Sequence, residues 1–181
     1  MEENGAHDRS AGIDMGAPPE DLRAALVTLL PRLRRFARAL ARNVHDADDL
    51  VQMAIERALT HAGQLRPDAP LAGWVFGILR NAWIDEQRAR GRRARLFAPE
   101  ESGAQIGDAS QGPHADRLAV EDALARLPDE QRVAVALVLI EGLSYKEAAH
   151  IMAVPIGTLT SRLARAREAL QDMLGEGKAV R

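Results

Sequence analysis

Apolar positions recur at helical spacing through most of this chain. Leu22, Leu26, Leu29 and Leu30 open the pattern, and after Pro31 it resumes with Leu33, Phe36, Ala37 and Leu40. Steps of three and four place one apolar stripe along a helix. A proline inside such a run removes a hydrogen bond and crowds the preceding turn, so a break or kink is expected at Pro31. Arg32, Arg34, Arg35 and Arg38 fall between the apolar positions and are expected to face outward. After a connector at Asn43-Val44-His45, a second helix is predicted. Asp46 would be its N-cap, and Asp48 and Asp49 occupy a first turn that favours negative charge. Leu50, Ile55, Ala58 and Leu59 would point inward, while Asp49, Gln52 and Glu56 line one outer edge. Leu65 to Ala72 reads as a loop by its two prolines. Trp74, Ile78, Leu79, Trp83 and Ile84 then give the stripe of a third helix, whose tail carries Arg88, Arg90, Arg92, Arg93 and Arg95.

The periodicity stops at residues 96–115, which hold two prolines and three glycines. Such a stretch is too long for a loop inside a compact domain and marks a boundary. A helix is predicted from Asp116 to Leu127, ended by Pro128. Asp129 would cap the next, with Val133, Leu137 and Ile140 inward, Val135 and Leu139 on its flanks, and Gly142 as its stop. Ser144 and Glu147 have the spacing of a capping box. The helix they start has a small-residue face of Ala148, Ala149 and Met152. Ala153-Val154 makes a tight turn, and Pro155 suits the first turn of the following helix. That last helix turns Leu159, Leu163, Ala166 and Leu170 inward and Thr158, Ser161, Arg162 and Arg165 outward. Short polar side chains near a helix start and forked cations further along suit a reader of the DNA major groove.

The fold class is therefore all-α, with two small helical domains joined by a flexible linker and a helix-turn-helix in the second. The expected divisions are a disordered tail at 1–19, an N-terminal domain at 20–95, the linker at 96–115, a C-terminal domain at 116–175 and a short tail at 176–181. The composition agrees, with 46% apolar residues and only 3% aromatic ones in 181 residues. There is no cysteine, which excludes disulfides, thiol chemistry and cysteine-bound zinc. The longest apolar run, Val133 to Ile140, is far short of the roughly 20 residues of a membrane span. The N-terminus lacks the basic-then-apolar layout of a signal peptide, so no membrane insertion and a cytoplasmic location are expected. Five scattered histidines give no ligand spacing, so no metal site is expected. The glycine-rich phosphate loops and the nucleophile elbow are missing, and neither an enzyme nor a cofactor is expected.

Net charge is −2, but it is distributed in blocks. Residues 21–45 carry six arginines against one aspartate, and residues 61–95 carry seven against three acids. The intervening 46–60 and the following 96–130 are acidic. Alternating blocks suit a protein that meets nucleic acid in patches and another protein between them. Two features keep two readings each. The Asp49, Gln52, Glu56 edge is either solvated surface or a protein contact. The tryptophans beside the arginine run are either core or equipment for unstacking and cradling single-stranded bases.

Four blocks in order, DADDLVQMAIERAL, WVFGILRNAWIDEQRARGRR, ALARLPDEQRVAVALVLIEGLSYKEAAHIM and VPIGTLTSRLARAREAL, resemble an extracytoplasmic-function (ECF) sigma factor of the sigma-70 family over about residues 22–174. The resemblance implies a transcription initiation factor that binds core RNA polymerase and promoter DNA under the control of an anti-sigma factor. Asp49 and Gln52, with Glu56 beside them, would meet the beta-prime clamp helices. The N-terminal domain would read and open the −10 element through Leu65, Trp74, Arg80, Asn81, Arg88, Arg92 and Arg93, with Asn81 at a flipped-base pocket. Extrusion from the stack is what reading a base edge inside a duplex requires. The C-terminal domain would bind the beta flap and the −35 element, with Ser161 and Arg165 facing bases and Thr158 and Arg162 beside them. Arg162 and Arg167 fit phosphates or structure. Thr160 and Ala164 depart from residues common in relatives and remove two possible DNA contacts. Ala153 stands where Gly, Asp or Asn is common in the turn. A sigma-like adaptor that binds an anti-sigma factor but not DNA, and an ordinary helix-turn-helix repressor, are the competing readings. The first would be expected to lose the basic reading face, and the second leaves the acidic and tryptophan-bearing blocks unexplained.

Overall fold

The opening leucine stripe forms α1 (Glu20–Leu40), which runs through Pro31 without a break. Pro31 lies on the exposed side, next to the exposed Val27 one turn earlier. The carbonyl that loses its donor there can turn to water, while Leu33, Phe36 and Leu40 hold the following turns in the core. In this computed structural model of the chain, residues 20–41, 43–66, 69–96 and 113–176 are described. The tail at 1–19 and nearly all of the linker and of the tail at 176–181 expected from the sequence lie outside the described residues.

Helix α2 (Val44–Thr60) begins three residues earlier than an Asp46 cap would place it. Its cap is Asn43, whose side-chain oxygen accepts from the Asp46 amide at 2.8 Å. Asp46 is thereby a first-turn residue, not the cap. The inward face includes Val51 and Ala54 as well as Leu50 and Ala58, with Ile55 and Leu59 half-buried. A single 3₁₀ turn (Ala62–Gln64) leads to the loop, and α3 (Leu71–Leu96) starts at its last two residues. On α3, Val75, Phe76, Leu79, Ala82 and Trp83 are buried, while Trp74, Ile78 and Ile84 are half-buried. The Phe76 ring meets Phe36 edge-on at 5.2 Å.

In the second region, α4 (Pro113–Arg126) is followed by α5 (Asp129–Val135), which opens on Pro128 with no side-chain cap from Asp129. A π-helical segment (Ala136–Ile140) follows, ending where the Glu141 amide reaches back to the Ala136 carbonyl at 3.0 Å. The chain then turns at Gly142, whose φ of 71° requires a residue without a Cβ penalty. The buried set here includes Val133, Val135 and Leu137; Leu139 is exposed. Helices α6 (Tyr145–Met152) and α7 (Ile156–Glu176) complete the chain. The described residues contain no strand.

Helices α1 to α3 surround one group of buried side chains and α4 to α7 another, and the two merge into a continuous apolar cluster. Helix α1 packs on α4, α5 and the π segment, and α3 packs on α6. Two regions that the linker separates in sequence are thus apposed in space.

Candidate nucleic-acid faces and the acidic helix edge

The last helix pair is built locally. Ser144 Oγ accepts from the Glu147 amide at 3.3 Å, and Glu147 Oε2 accepts from the Ser144 amide at 2.9 Å, closing the capping box. The Ser144 hydroxyl and then its amide hold the Glu147 carboxyl below its ordinary pKa, since both bonds favour the charged form. Helix α6 ends on Ala153, which adopts φ 53° in the left-handed region. The Val154 amide returns to the Ala149 carbonyl at 3.0 Å, so the terminus is a Schellman turn made without glycine. Pro155 stands just outside α7, and its carbonyl accepts from the Thr158 and Leu159 amides. Ala148, Ala149 and Met152 of α6 are buried, as are Leu159, Leu163 and Ala166 of α7, so α7 is held on one face only.

On its free face Ser161 and Arg165 are exposed and Thr158 is half-buried. The Ser161 hydroxyl donates to the Thr158 carbonyl at 2.9 Å. Arg165 makes no ion pair among the described residues, and its guanidinium is available to a base edge or a phosphate. Arg162 is different. Its guanidinium lies 2.9 Å from Glu130 Oε2, at the first turn of α5.

On α3, Trp74, Asn81, Arg88 and Arg92 fall seven, fourteen and eighteen residues apart, so they share one helix face. Gly77 lies between Trp74 and Asn81 on that face, with open space where a Cβ would be. The half-buried indole, the bare backbone and the exposed amide form a shallow seat. Arg88, Arg92 and Arg93 continue it as exposed cations without ion pairs among the described residues. Leu65, half-buried, caps the 3₁₀ turn before the loop. Arg80, half-buried beside the seat, donates to Asn81 Oδ1 at 3.3 Å and lies 3.5 Å from Glu130.

The aromatic reading of this block needs correction in part. Trp83 and Phe76 are core side chains with no access to a base; Trp74 alone of the two tryptophans reaches the surface. Arg90 belongs to the scaffold as well, since it bonds Glu86 and Asp46 at 2.9 Å each and ties α3 to the start of α2. Its guanidinium pKa is raised by those two carboxylates, Glu86 foremost. The outer edge of α2 has Asp49, Gln52 and Glu56 exposed together, with Gln52 donating to Glu56 at 2.9 Å. A hollow beside Asp49 has Leu50, Met53 and Trp83 in its wall and Asp46 and Glu86 at its rim.

What the sequence did not point to is the charge set between the regions. Arg32 and Arg35, expected to face outward, both bond Glu141, whose side chain is wholly buried. Arg35 forms a fork on the carboxylate at 2.8 and 3.0 Å, and Arg32 Nε adds a third bond at 3.1 Å while stacking over Phe76. Arg132, buried on α5, donates to the carbonyls of Leu40, Ala125 and Leu127 and lies over the Trp83 ring. Helical periodicity carries no signal for such pairs.

The chain is all-helical in two regions, the second ending in a helix-turn-helix, and the family comparisons match each region. Residues 26–93 match the model of Sigma-70 region 2, and residues 117–170 match that of Sigma-70, region 4. The chain is 36% identical over 155 residues to the ECF RNA polymerase sigma factor EcfG of Rhodopseudomonas palustris, covering 86% of each chain. It is 38% identical over 175 residues to the ECF RNA polymerase sigma factor SigM of Mycobacterium tuberculosis, covering 94% of this chain and 88% of the relative. Among solved structures it is similar to the sigma factor RpoE of Bartonella quintana, crystallised in complex with the anti-sigma factor NepR. The TM-score is 0.72 at 32% identity, with 87% of this chain and 98% of that one covered. It is also similar to CnrH in complex with the cytosolic domain of CnrY, with a TM-score of 0.65 at 26% identity over 86% and 88% of the two chains. This chain belongs to the ECF sigma factors of the sigma-70 family. Among the described residues, no helix is long and apolar enough to cross a membrane, and no cluster of ligating side chains could hold a metal.

Proposed function

We propose that the chain binds core RNA polymerase through the acidic edge of α2 and directs it to promoters with two separate reading faces. The carrying observation is that each sigma-matched region presents its own exposed polar face. Trp74, Asn81, Arg88 and Arg92 lie on α3, and Ser161 and Arg165 lie on α7. The α3 seat suits an extruded base, because an indole face stacks and a carboxamide pairs with a base edge. Arg88, Arg92 and Arg93 would follow the phosphates of the opened strand, with Leu65 and Arg80 at the margin of the seat. The α7 face would enter the major groove of the −35 element with Arg165 on a base, Ser161 and Thr158 near the helix start, and Arg162 on the backbone.

Asp49, Gln52 and Glu56 present acceptors on an exposed helix edge, which suits a partner helix rich in cations such as the beta-prime clamp helices. The second region would rest on the beta flap. Control by an anti-sigma factor is supported by the likeness to RpoE and CnrH, which were solved with NepR and CnrY. The free cations on both reading faces favour DNA binding over a DNA-blind adaptor.

The polymerase contact is tested by Asp49→Arg in the full chain, read as retention of core polymerase in a pull-down. Retention is expected to fall about tenfold, the scale on which like-charge juxtaposition opposes docking. Unchanged retention would remove Asp49 from the interface.

A further inference from the structure

Among the described residues, two carboxylates of the second region receive arginines from the first. Glu141, at the end of the π segment, receives Arg32 and Arg35 of α1. Glu130, at the start of α5, stands between Arg80 of α3 and Arg162 of α7, at 3.5 and 2.9 Å. Glu130 thereby meets Arg80 across the two regions and Arg162 within its own region. Both are drawn under cover, their side chains 14% and 24% exposed, while Arg88, Arg92 and Arg165 stay out in solvent.

We infer that Glu130 and Glu141 form an internal latch that keeps the free chain closed, with no second protein required, in a form unable to engage both promoter elements at once. The inference rests on the promoter-recognition reading above. Elements at −10 and −35 lie about 25 base pairs apart, or roughly 85 Å at 3.4 Å per pair. A compact chain of this length has a radius of gyration of about 16 Å and a body roughly 40 Å across. The closed form therefore cannot lay α3 on one element and α7 on the other. Glu130 also presents to Arg80 and Arg162 one anionic oxygen each, as a DNA phosphate would. DNA backbone is thus a direct competitor of Glu130 for Arg80, the arginine that reaches it from the other region. The same contacts give a clamp-type inhibitor a preformed closed shape to bind.

The chain has no cysteine, so a pair of dyes can be placed without altering the background. Thr60→Cys on α2 and Gln171→Cys on α7 are both exposed positions and carry the labels. Energy transfer is measured in the free full-length chain, without polymerase or DNA, for the parent and for Glu130→Gln with Arg35→Gln. Both substitutions act on partly exposed side chains and leave the buried Glu141 in place, and circular dichroism verifies that the variant is folded. The parent is expected to show one high-transfer population. The variant should move to low transfer and gain about tenfold in promoter occupancy at limiting core polymerase, as a shift of this kind in a two-state equilibrium allows. A parent that is already open, or a variant that stays as closed as the parent, overturns the latch. Opening of the variant with no transcription from either protein would uphold the latch and overturn the promoter reading.

Discussion

The guanidinium of Arg132, on α5, donates a 3.0 Å hydrogen bond to the carbonyl of Leu40, the last residue of α1. It also donates to the carbonyls of Ala125 and Leu127 at the end of α4. One buried cation therefore closes the C-terminal ends of two helices from different regions, where carbonyls lack partners and the helix dipole is negative. Removing it leaves buried acceptors unsatisfied.

Arg132→Ala is expected to destabilise the chain by about 1–3 kcal/mol, the cost of leaving a buried acceptor without its donor. Chemical denaturation of parent and variant measures this directly. A loss below about 1 kcal/mol, the scale of one ordinary hydrogen bond, would mean that Arg132 is dispensable to the packing of the two regions.

Gly77 separates stability from function. It lies inside α3 with nothing near an added Cβ, so Gly77→Ala should raise stability by about 0.5–1 kcal/mol through helix propensity alone. The same methyl narrows the seat between Trp74 and Asn81 and should reduce promoter opening, read by permanganate reactivity of unpaired thymines. A variant that is both more stable and fully active would show that no base uses this seat.

Arg165 is exposed on α7 and makes no ion pair among the described residues, whereas Arg162 is already held by Glu130. Arg165→Ala should weaken −35 binding by about 1–3 kcal/mol, the scale of one good base contact, and relax discrimination at one base pair. Loss spread evenly over all sequences would instead mark Arg165 as a phosphate contact. Undiminished transcription from the chain's own promoter would remove it from the interface.

The capping box makes stability depend on acid. Bonds from the Ser144 side chain and backbone lower the Glu147 pKa in the folded state relative to its ordinary 4.5. The unfolded chain then binds more protons in that range, so the stabilisation is present above about pH 4.5 and fades as pH falls through the folded value. Thermal melts across that range should show a steeper acid loss for the parent than for Glu147→Gln. Identical pH profiles would mean that the box is not formed in solution.

Local chemistry explains which parts of this architecture are readable from sequence. The Ser144–Glu147 box, the stop at Gly142 and the Leu159, Leu163, Ala166 stripe depend on residues within a few positions of one another, and all form as their spacing predicts. Competition between equivalent local options is harder. Asn43 caps α2 because its side chain reaches the Asp46 amide, although Asp46 is as good a capping residue by type. Trp83 and Trp74 have the same neighbourhood in sequence, yet the helix turn puts one in the core and the other at the surface. The least readable feature is the meeting of the regions. Arg32 and Glu141 are 109 positions apart, and on α1 alone Arg32 has the look of a solvated arginine. That Asp49, Gln52, Asn81 and Arg165 face outward is legible from helical periodicity, whereas the roles proposed for them come from motif order.

The most direct test of the central claim is transcription by purified core RNA polymerase on genomic DNA, with and without this protein, followed by sequencing of the transcript starts. New start sites should appear only when the protein is present, preceded by two sequence motifs at a fixed spacing. Failure to add any start site, or added starts that share no upstream motif, would contradict its assignment as a promoter-directing factor.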